Sequence, residues 1–293
     1  MAVIPQSEFQ RRQARRKWMG RAFHGLCLLS VCIALGMLAV LLIYLLQQGV
    51  TGIDWSFLTS FPSRHPDKAG IKPAMLGSIY VVLVAGVVSF TLGVATALFL
   101  EEYATRSKFA TLAKINIANL AGVPSIVYGI LGLQIFVHSM HLGNSVLAGG
   151  FTLALLVLPI VIVAASEAVR AVPPSLREGS YALGATRWQV IWRMVIPQAF
   201  PGILTGVILA VSRAIGETAP LIAMGALTFV PFTPDSPLSR FTVLPIQIFN
   251  WTSRPQEGFR ETAAAGIIVL LVILLVMNAG AVILRNRFQN KWE

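Results

Sequence analysis

The sequence predicts an all-α, polytopic membrane protein with six transmembrane helices, and three observations carry that prediction. Hydrophobic residues make up 56% of the chain and charged residues only 12%, about half the charged share of soluble domains. Six apolar runs each approach the roughly 20 residues that a helix needs to cross the hydrocarbon core. Between them, segments rich and poor in basic residues alternate, the pattern that sets orientation in a bilayer.

The first run, Leu26 to Leu46, follows a basic tail over residues 1–22. It is longer than a signal-peptide core and no small-x-small cleavage site follows Leu46, so an uncleaved first span is expected. Cys27 and Cys32 lie within it at a spacing that suits neither metal ligation nor a disulfide framework. They read as small packing residues. The second run is Met75 to Leu100 and the third Leu112 to Val137. In the third, Asn116 and Asn119 share a helical face ahead of Ala121-Gly122-Val123-Pro124-Ser125. Pro124 lacks an N–H and its ring opposes the carbonyl of Leu120, which predicts a kink that serves either ordinary packing or a pathway. Val146 to Ala165, Phe200 to Leu227 and Ala263 to Leu284 complete the set.

Of the 23 Lys and Arg, sixteen sort to one side. They lie in the first tail (Arg11 to Arg21), the second-to-third turn (Arg106, Lys108, Lys114), the segment around Arg170, Arg177, Arg187 and Arg193, and the last tail (Arg285, Arg287, Lys291). Arg64, Lys68, Lys72, Arg240, Arg254 and Arg260 sort to the other, and Arg213 remains inside a span. The positive-inside rule then places both termini in the cytoplasm. It also accounts for the net charge of +11 as topology determinants and interfacial anchors, which excludes nucleic-acid binding as its meaning. The expected divisions are the 1–22 tail, a 23–70 first helix and outer loop, a 71–285 membrane domain and a 286–293 tail.

The outward loops, Gln47 to Pro73 and Thr228 to Thr262, are too short to be domains. Trp55, Phe57, Trp251 and Phe259 would suit ordered connectors at the membrane face or a platform for an extracytoplasmic partner, and both readings stay open.

Residues 173–199 interrupt this apolar chain with a polar segment. Pro173, Pro174 and Ser175, with Glu178 three residues on, predict a capped helix start. Gly184 permits a sharp turn. A second short helix, Ala185 to Val195, would then carry Trp188, Ile191, Trp192 and Val195 on one side, ended by Pro197 and Pro201. Such an elbow suits a soluble cytoplasmic partner, while an interfacial loop lying on lipid would use Trp and Arg equally well.

Arg213 and Glu217 are the ionisable residues read as lying inside a span. Counted from Phe200, Arg213 falls about 20 Å along the helix, past the middle of a roughly 30 Å core. An Arg there costs about 2.5–3.5 kcal/mol and must face protein or water. One reading is a structural pair at i, i+4; the other is an anion pathway, since a guanidinium offers a planar fork to two oxygens. Gly216 and Pro220 should break this helix nearby.

The polar segment resembles the coupling loop of ATP-binding-cassette importer permeases, E-A-A, three residues, G, nine residues, I-x-L-P. Here it reads Glu178-Gly179-Ser180, Tyr181 to Leu183, Gly184, Ala185 to Arg193, then Met194-Val195-Ile196-Pro197, with small residues kept small and apolar residues apolar. Ala121 to Gly129, Ser212 to Pro220 and Leu244 to Trp251 look like the phosphate-specific importer permeases, and the third, with Arg285 to Phe288, favours the PstA type over PstC. The resemblance implies the type I importer fold in a bacterial inner membrane. It implies ATPase coupling by Glu178, Gly179, Ser180, Gly184, Ala185, Trp188, Trp192 and Pro197, and a substrate pathway drawing on Arg213, Glu217, Thr218, Asn119 and Ser125. The implied partners are a PstC-like permease, two copies of a PstB-like ATPase carrying ATP and magnesium, and a periplasmic PstS-like phosphate-binding protein. No cofactor or metal is expected on this chain, which lacks a G-x-x-x-x-G-K-[ST] loop and is read as a transport subunit, not an enzyme. Another oxyanion such as sulfate, or a stand-alone anion carrier, remains as an alternative. A membrane hydrolase is disfavoured because H-E-x-x-H, G-x-S-x-G and paired intramembrane acids are missing from the sequence.

Overall fold

A computed structural model describes residues 6–104, 107–226 and 229–289. Arg106, Lys291 and the expected end of the fifth span at Leu227 lie outside the described residues. The described chain is helical, without a strand. Its elements are α1 (Gln6–Gly49), α2 (Trp55–Thr59), α3 (Lys72–Leu98), α4 (Lys108–Leu120), α5 (Ser125–Gly132), α6 (Val146–Arg170), α7 (Pro174–Ala182), α8 (Arg187–Val190), α9 (Ile196–Gly216), α10 (Ala219–Ala223), α11 (Leu244–Thr252) and α12 (Gly258–Gln289). Wide π turns extend α3 over Phe99–Tyr103 and α5 over Leu133–Ser139, and another joins α8 to α9 over Ile191–Val195.

Among the described residues, five helices are long and apolar enough to cross a membrane: Arg16–Gly52, Lys72–Tyr103, Val146–Arg170, Arg187–Gly216 and Gly258–Arg287. The expected third span is not one rod. Lys108–Leu120 and Ser125–Ser139 meet at 103°, so the anticipated kink at Pro124 is a full break. The Leu120 carbonyl, which Pro124 cannot serve, accepts instead from the Val123 N–H at 3.1 Å and from the Tyr128 hydroxyl at 2.7 Å. The fifth span differs as well, beginning at Arg187 and ending at Gly216.

Helix α6 is the centre of the bundle, packed against α3 on one side and α9 on the other. Lipid tails are as apolar as Leu, so helix association in a bilayer depends on close packing of small residues. The sequence supplies a row of small and β-branched residues at every fourth position, with Leu153 as the one larger member. On α3, Gly77, Val81, Ala85, Ser89, Gly93 and Ala97 are buried; on α6, Gly149, Leu153, Val157, Val161, Ala165 and Val169 are buried. Helix α12 runs antiparallel to α9, with the Ser212 hydroxyl donating to the Asn278 side-chain oxygen and Arg285 beside Thr205. The end of α1 rests on the start of α12, where Gly49 meets Ala264 and Ile268. The far ends of α1 and α12 therefore lie on the same face of the molecule as the elbow formed by α7 and α8.

On the opposite face the expected outer loops are largely structured. Asp54 caps α2, accepting from the Phe57 N–H at 2.7 Å and from the Ser56 hydroxyl, and these bonds hold its carboxyl below the usual carboxylate range. Phe57, Trp251 and Phe259 are buried together, the first two with ring centroids 5.9 Å apart, and Trp55 alone of the four aromatics is exposed. Three of the four are thus core residues under α11 and α12, and Trp55 is left on the surface. Residues 237–243 cross the start of α6, where the Ser239 and Pro237 carbonyls accept from the N–H groups of Val146 and Leu147.

Candidate functional site

The elbow is closed by a backbone motif that its sequence dictates. Gly184 has φ +82°, a left-handed conformation in which a Cβ is strained. The N–H of Ala185 donates to the Ser180 carbonyl at 3.1 Å and that of Gly184 to the Tyr181 carbonyl at 2.9 Å, the paired bonds of a Schellman helix end. Thr186 and Gln189 then form a capping box at the start of α8. The box expected at Ser175 and Glu178 does not form. Pro173 is the N-cap there and Ser175 lies within the first turn, since Pro174 already supplies a preset φ.

Two further expectations about the elbow are corrected. Pro197 and Pro201 do not end the second helix, which runs on from Arg187 to Gly216. The π turn at Ile191–Val195 lies where Pro197 withholds its N–H from the ladder, and the helix widens there instead of stopping. That widening also divides the predicted face: Ile191 and Val195 are buried, whereas Trp188 and Trp192 are 61% and 53% exposed and meet edge-on at 5.4 Å. Leu183, at the tip, is 90% exposed. Glu178 and Gly179 lie on the same outer helix, and the Ser180 hydroxyl turns back to the Leu176 carbonyl. The elbow therefore presents Leu183, Trp188 and Trp192 outward while its second helix is rooted in the core.

No heavy atom lies within 4 Å of where a Gly184 Cβ would stand, so the constraint is conformational and not steric within this chain. Gly184→Ala is expected to cost about 1–2 kcal/mol at the turn, and Gly184→Trp to add bulk at the outer surface. Both variants should insert, with anion-stimulated ATP hydrolysis by the assembled complex reduced in Ala and abolished in Trp. Wild-type stimulation in Gly184→Trp would contradict a role for the turn.

The pathway candidates gather around the two helix breaks. Arg213 lies in the last turn of α9, past the middle of its helix as expected, and Glu217 follows in extended conformation. Arg213 Nε is 3.3 Å from Glu217 Oε1; the side chains are 52% and 18% exposed. Thr218 starts α10. Helix α10 crosses α5 at Gly129, where a Cβ would come 2.5 Å from the Pro220 carbonyl oxygen, so a side chain there would force the two elements apart. Ser125 lies one turn before Gly129, half-buried, at the start of α5. Asn119 is exposed at the end of α4, and its neighbour Asn116 turns back to the Leu112 carbonyl. The structure thus places Ser125 on the helix that meets α10 at Gly129; Asn119 lies beyond the break on the other arm.

A charged lattice at the elbow face escaped the sequence reading. Glu101 takes Lys114 Nζ at 2.8 Å and Arg170 Nε at 3.1 Å. Glu102, 7% exposed, takes Arg177 Nη2 at 3.0 Å and Nε at 3.1 Å. The same guanidinium donates to the Val172 and Val169 carbonyls at 2.7 and 2.8 Å, just past and within the last turn of α6. The available signal was the Glu101-Glu102 pair closing an apolar run.

Residues 89–290 match the model of the family described as binding-protein-dependent transport system inner membrane component. The chain is 32% identical to the probable ABC transporter permease protein YqgI of Bacillus subtilis, over 91% of this chain and 95% of that protein. It is also 32% identical to the phosphate transport system permease protein PstA of Haemophilus influenzae, over 94% and 96%. In fold it is similar to a chain of a bacterial alginate ABC transporter crystallised with its pentasaccharide-bound periplasmic protein, with a TM-score of 0.64 and 17% identity over 92% and 94% of the two chains. The chain belongs to the binding-protein-dependent transport system inner membrane components, multi-pass permeases with the type I ABC importer fold.

Proposed function

We propose that this permease forms half of the pathway of an ATP-driven phosphate importer and couples through its elbow to a cytoplasmic ATPase. The observation that carries the coupling reading is the elbow itself: a turn fixed by its own backbone bonds, with Leu183, Trp188 and Trp192 facing outward from a helix continuous with α9. Exposed Trp residues at the tip of a rooted structure are what a protein partner would bury. Phosphate as the substrate is supported by the likeness to PstA proteins over nearly the whole chain. It is also supported by Arg213, whose guanidinium, among the described residues, bonds one Glu217 oxygen through Nε and leaves its forked Nη edge for oxyanion oxygens. The nearby carboxylate weakens that hold, as passage requires.

In this reading the elbow and both chain ends face the cytoplasm, and the α2–α11 cap faces a periplasmic PstS-like binding protein. The chain pairs with a PstC-like permease and two PstB-like ATPase subunits that hold ATP and magnesium. The test is purification of the chain in mild detergent, identification of its companions, and assay of their ATP hydrolysis with phosphate-loaded and sulfate-loaded binding protein. Co-purification of an ATPase stimulated by the phosphate form is expected. An isolated chain, or stimulation by sulfate alone, would overturn the reading.

A further inference from the structure

Helix α7 is the outer arm of the elbow, yet none of its residues is fully buried. Leu176 gives it a partial apolar seat against the cluster that includes Val169, Val172 and Val190. Among the described residues, its polar attachment to other elements comes from Arg177. Arg177 reaches across to Glu102 with two N–H groups and to the Val169 and Val172 carbonyls with two bonds more, tying α7 to the ends of both α3 and α6. Glu102 is 7% exposed and Arg177 is its ion-pair partner. Beside it, Glu101 ties the same turn of α3 to Lys114 on α4 and Arg170 on α6.

We propose that the Glu102–Arg177 pair is a pin that makes the elbow and the ends of α3 and α6 one rigid body, with the adjacent Glu101 contacts extending that body to α4. Displacement of the elbow then moves α4 and the 103° break at the pathway candidates, instead of flexing α7 alone. Glu102 and Arg177 are positioning residues in this account; neither touches the transported anion. The proposal rests on the reading of the elbow as the ATPase contact and adds the route by which its motion enters the membrane domain.

The readout is phosphate transported per ATP hydrolysed by the full complex in vesicles, supplied with phosphate-loaded binding protein. Glu102→Gln removes the charge at nearly constant volume while Arg177 keeps its two carbonyl acceptors. The ATPase subunit should stay bound and the ratio should fall at least fivefold. A covalent substitute provides the control. Cys replaces Glu102 and Arg177 in a Cys27→Ala, Cys32→Ala background, and the pair is bridged by a short bismaleimide through the crevice that both residues line. Bridging should return the ratio to at least half the wild-type value, whereas the unbridged pair stays low. A wild-type ratio in Glu102→Gln, loss of the ATPase subunit from that variant, or a low ratio after bridging would each overturn the pin. Failure of the elbow contact itself reads out separately, as retention of the ATPase subunit when Trp188 and Trp192 are both replaced by Ala.

Discussion

The double substitution of Trp188 and Trp192 by Ala is expected to release the ATPase subunit from the purified complex while the two permeases remain together. Both indoles are more than half exposed in the chain by itself and pack edge-on against one another, so they form one apolar protrusion and not two scattered residues. Buried interface Trp residues typically contribute on the order of 2 kcal/mol or more each. Removing both should weaken association by roughly a hundredfold or more. The rooted side of the same helix, Val190, Ile191 and Val195, is untouched, so folding should be preserved. Subunit stoichiometry after size-exclusion chromatography gives the answer. Normal ATPase content would mean that the indoles lie on lipid instead.

The second large effect is expected at Arg213. Its bond to Glu217 is a single 3.3 Å contact between residues four apart, with the cation preceding the acid, half exposed. Such a partly exposed pair is worth about 0–1 kcal/mol. It also sits at the last turn of α9, where a cation is favoured by the helix dipole. Structure alone therefore gives little reason for strict dependence on this residue. If Arg213 only neutralises Glu217, the double change Arg213→Gln with Glu217→Gln should transport nearly normally. If it lowers the barrier for a desolvating anion, the double mutant should assemble yet lose transport at least tenfold. A unit charge at 4 Å contributes about 4 kcal/mol at an effective dielectric constant of 20, before discounting for exposure. We expect the second outcome, with Arg213→Lys retaining part of the activity because a point charge replaces a fork. Phosphate uptake normalised to assembled complex distinguishes them.

What could be read in the sequence divides along physical lines. Spans are set by composition over about 20 residues, so four of the six apolar runs fall within single helices, while the third and fifth cross a break. The turn at Gly184 was legible because a left-handed backbone is a local demand. At Pro124 the position of the break was legible, but its angle was not. That angle depends on α5 meeting α10 at Gly129, more than 90 residues away in sequence. The predicted single face of Trp188, Ile191, Trp192 and Val195 assumed 3.6 residues per turn, and the π turn at Ile191–Val195 removes that assumption. The Glu102–Arg177 pair spans 75 residues, and no periodicity in one sequence links two such positions. Likewise, the aromatics of the outer loops looked equally suited to surface and core until α11 placed Trp251 against Phe57.

The central claim is that this permease moves phosphate at the expense of ATP hydrolysed by a partner docked at the elbow. The most direct measurement is uptake of radiolabelled phosphate into vesicles containing the assembled complex, with ATP on the elbow side and phosphate-loaded binding protein on the other. The account predicts accumulation that requires ATP, and its loss when Gly184 is replaced by Trp. Accumulation that proceeds at the same rate without nucleotide, or by this chain without an ATPase, would contradict it.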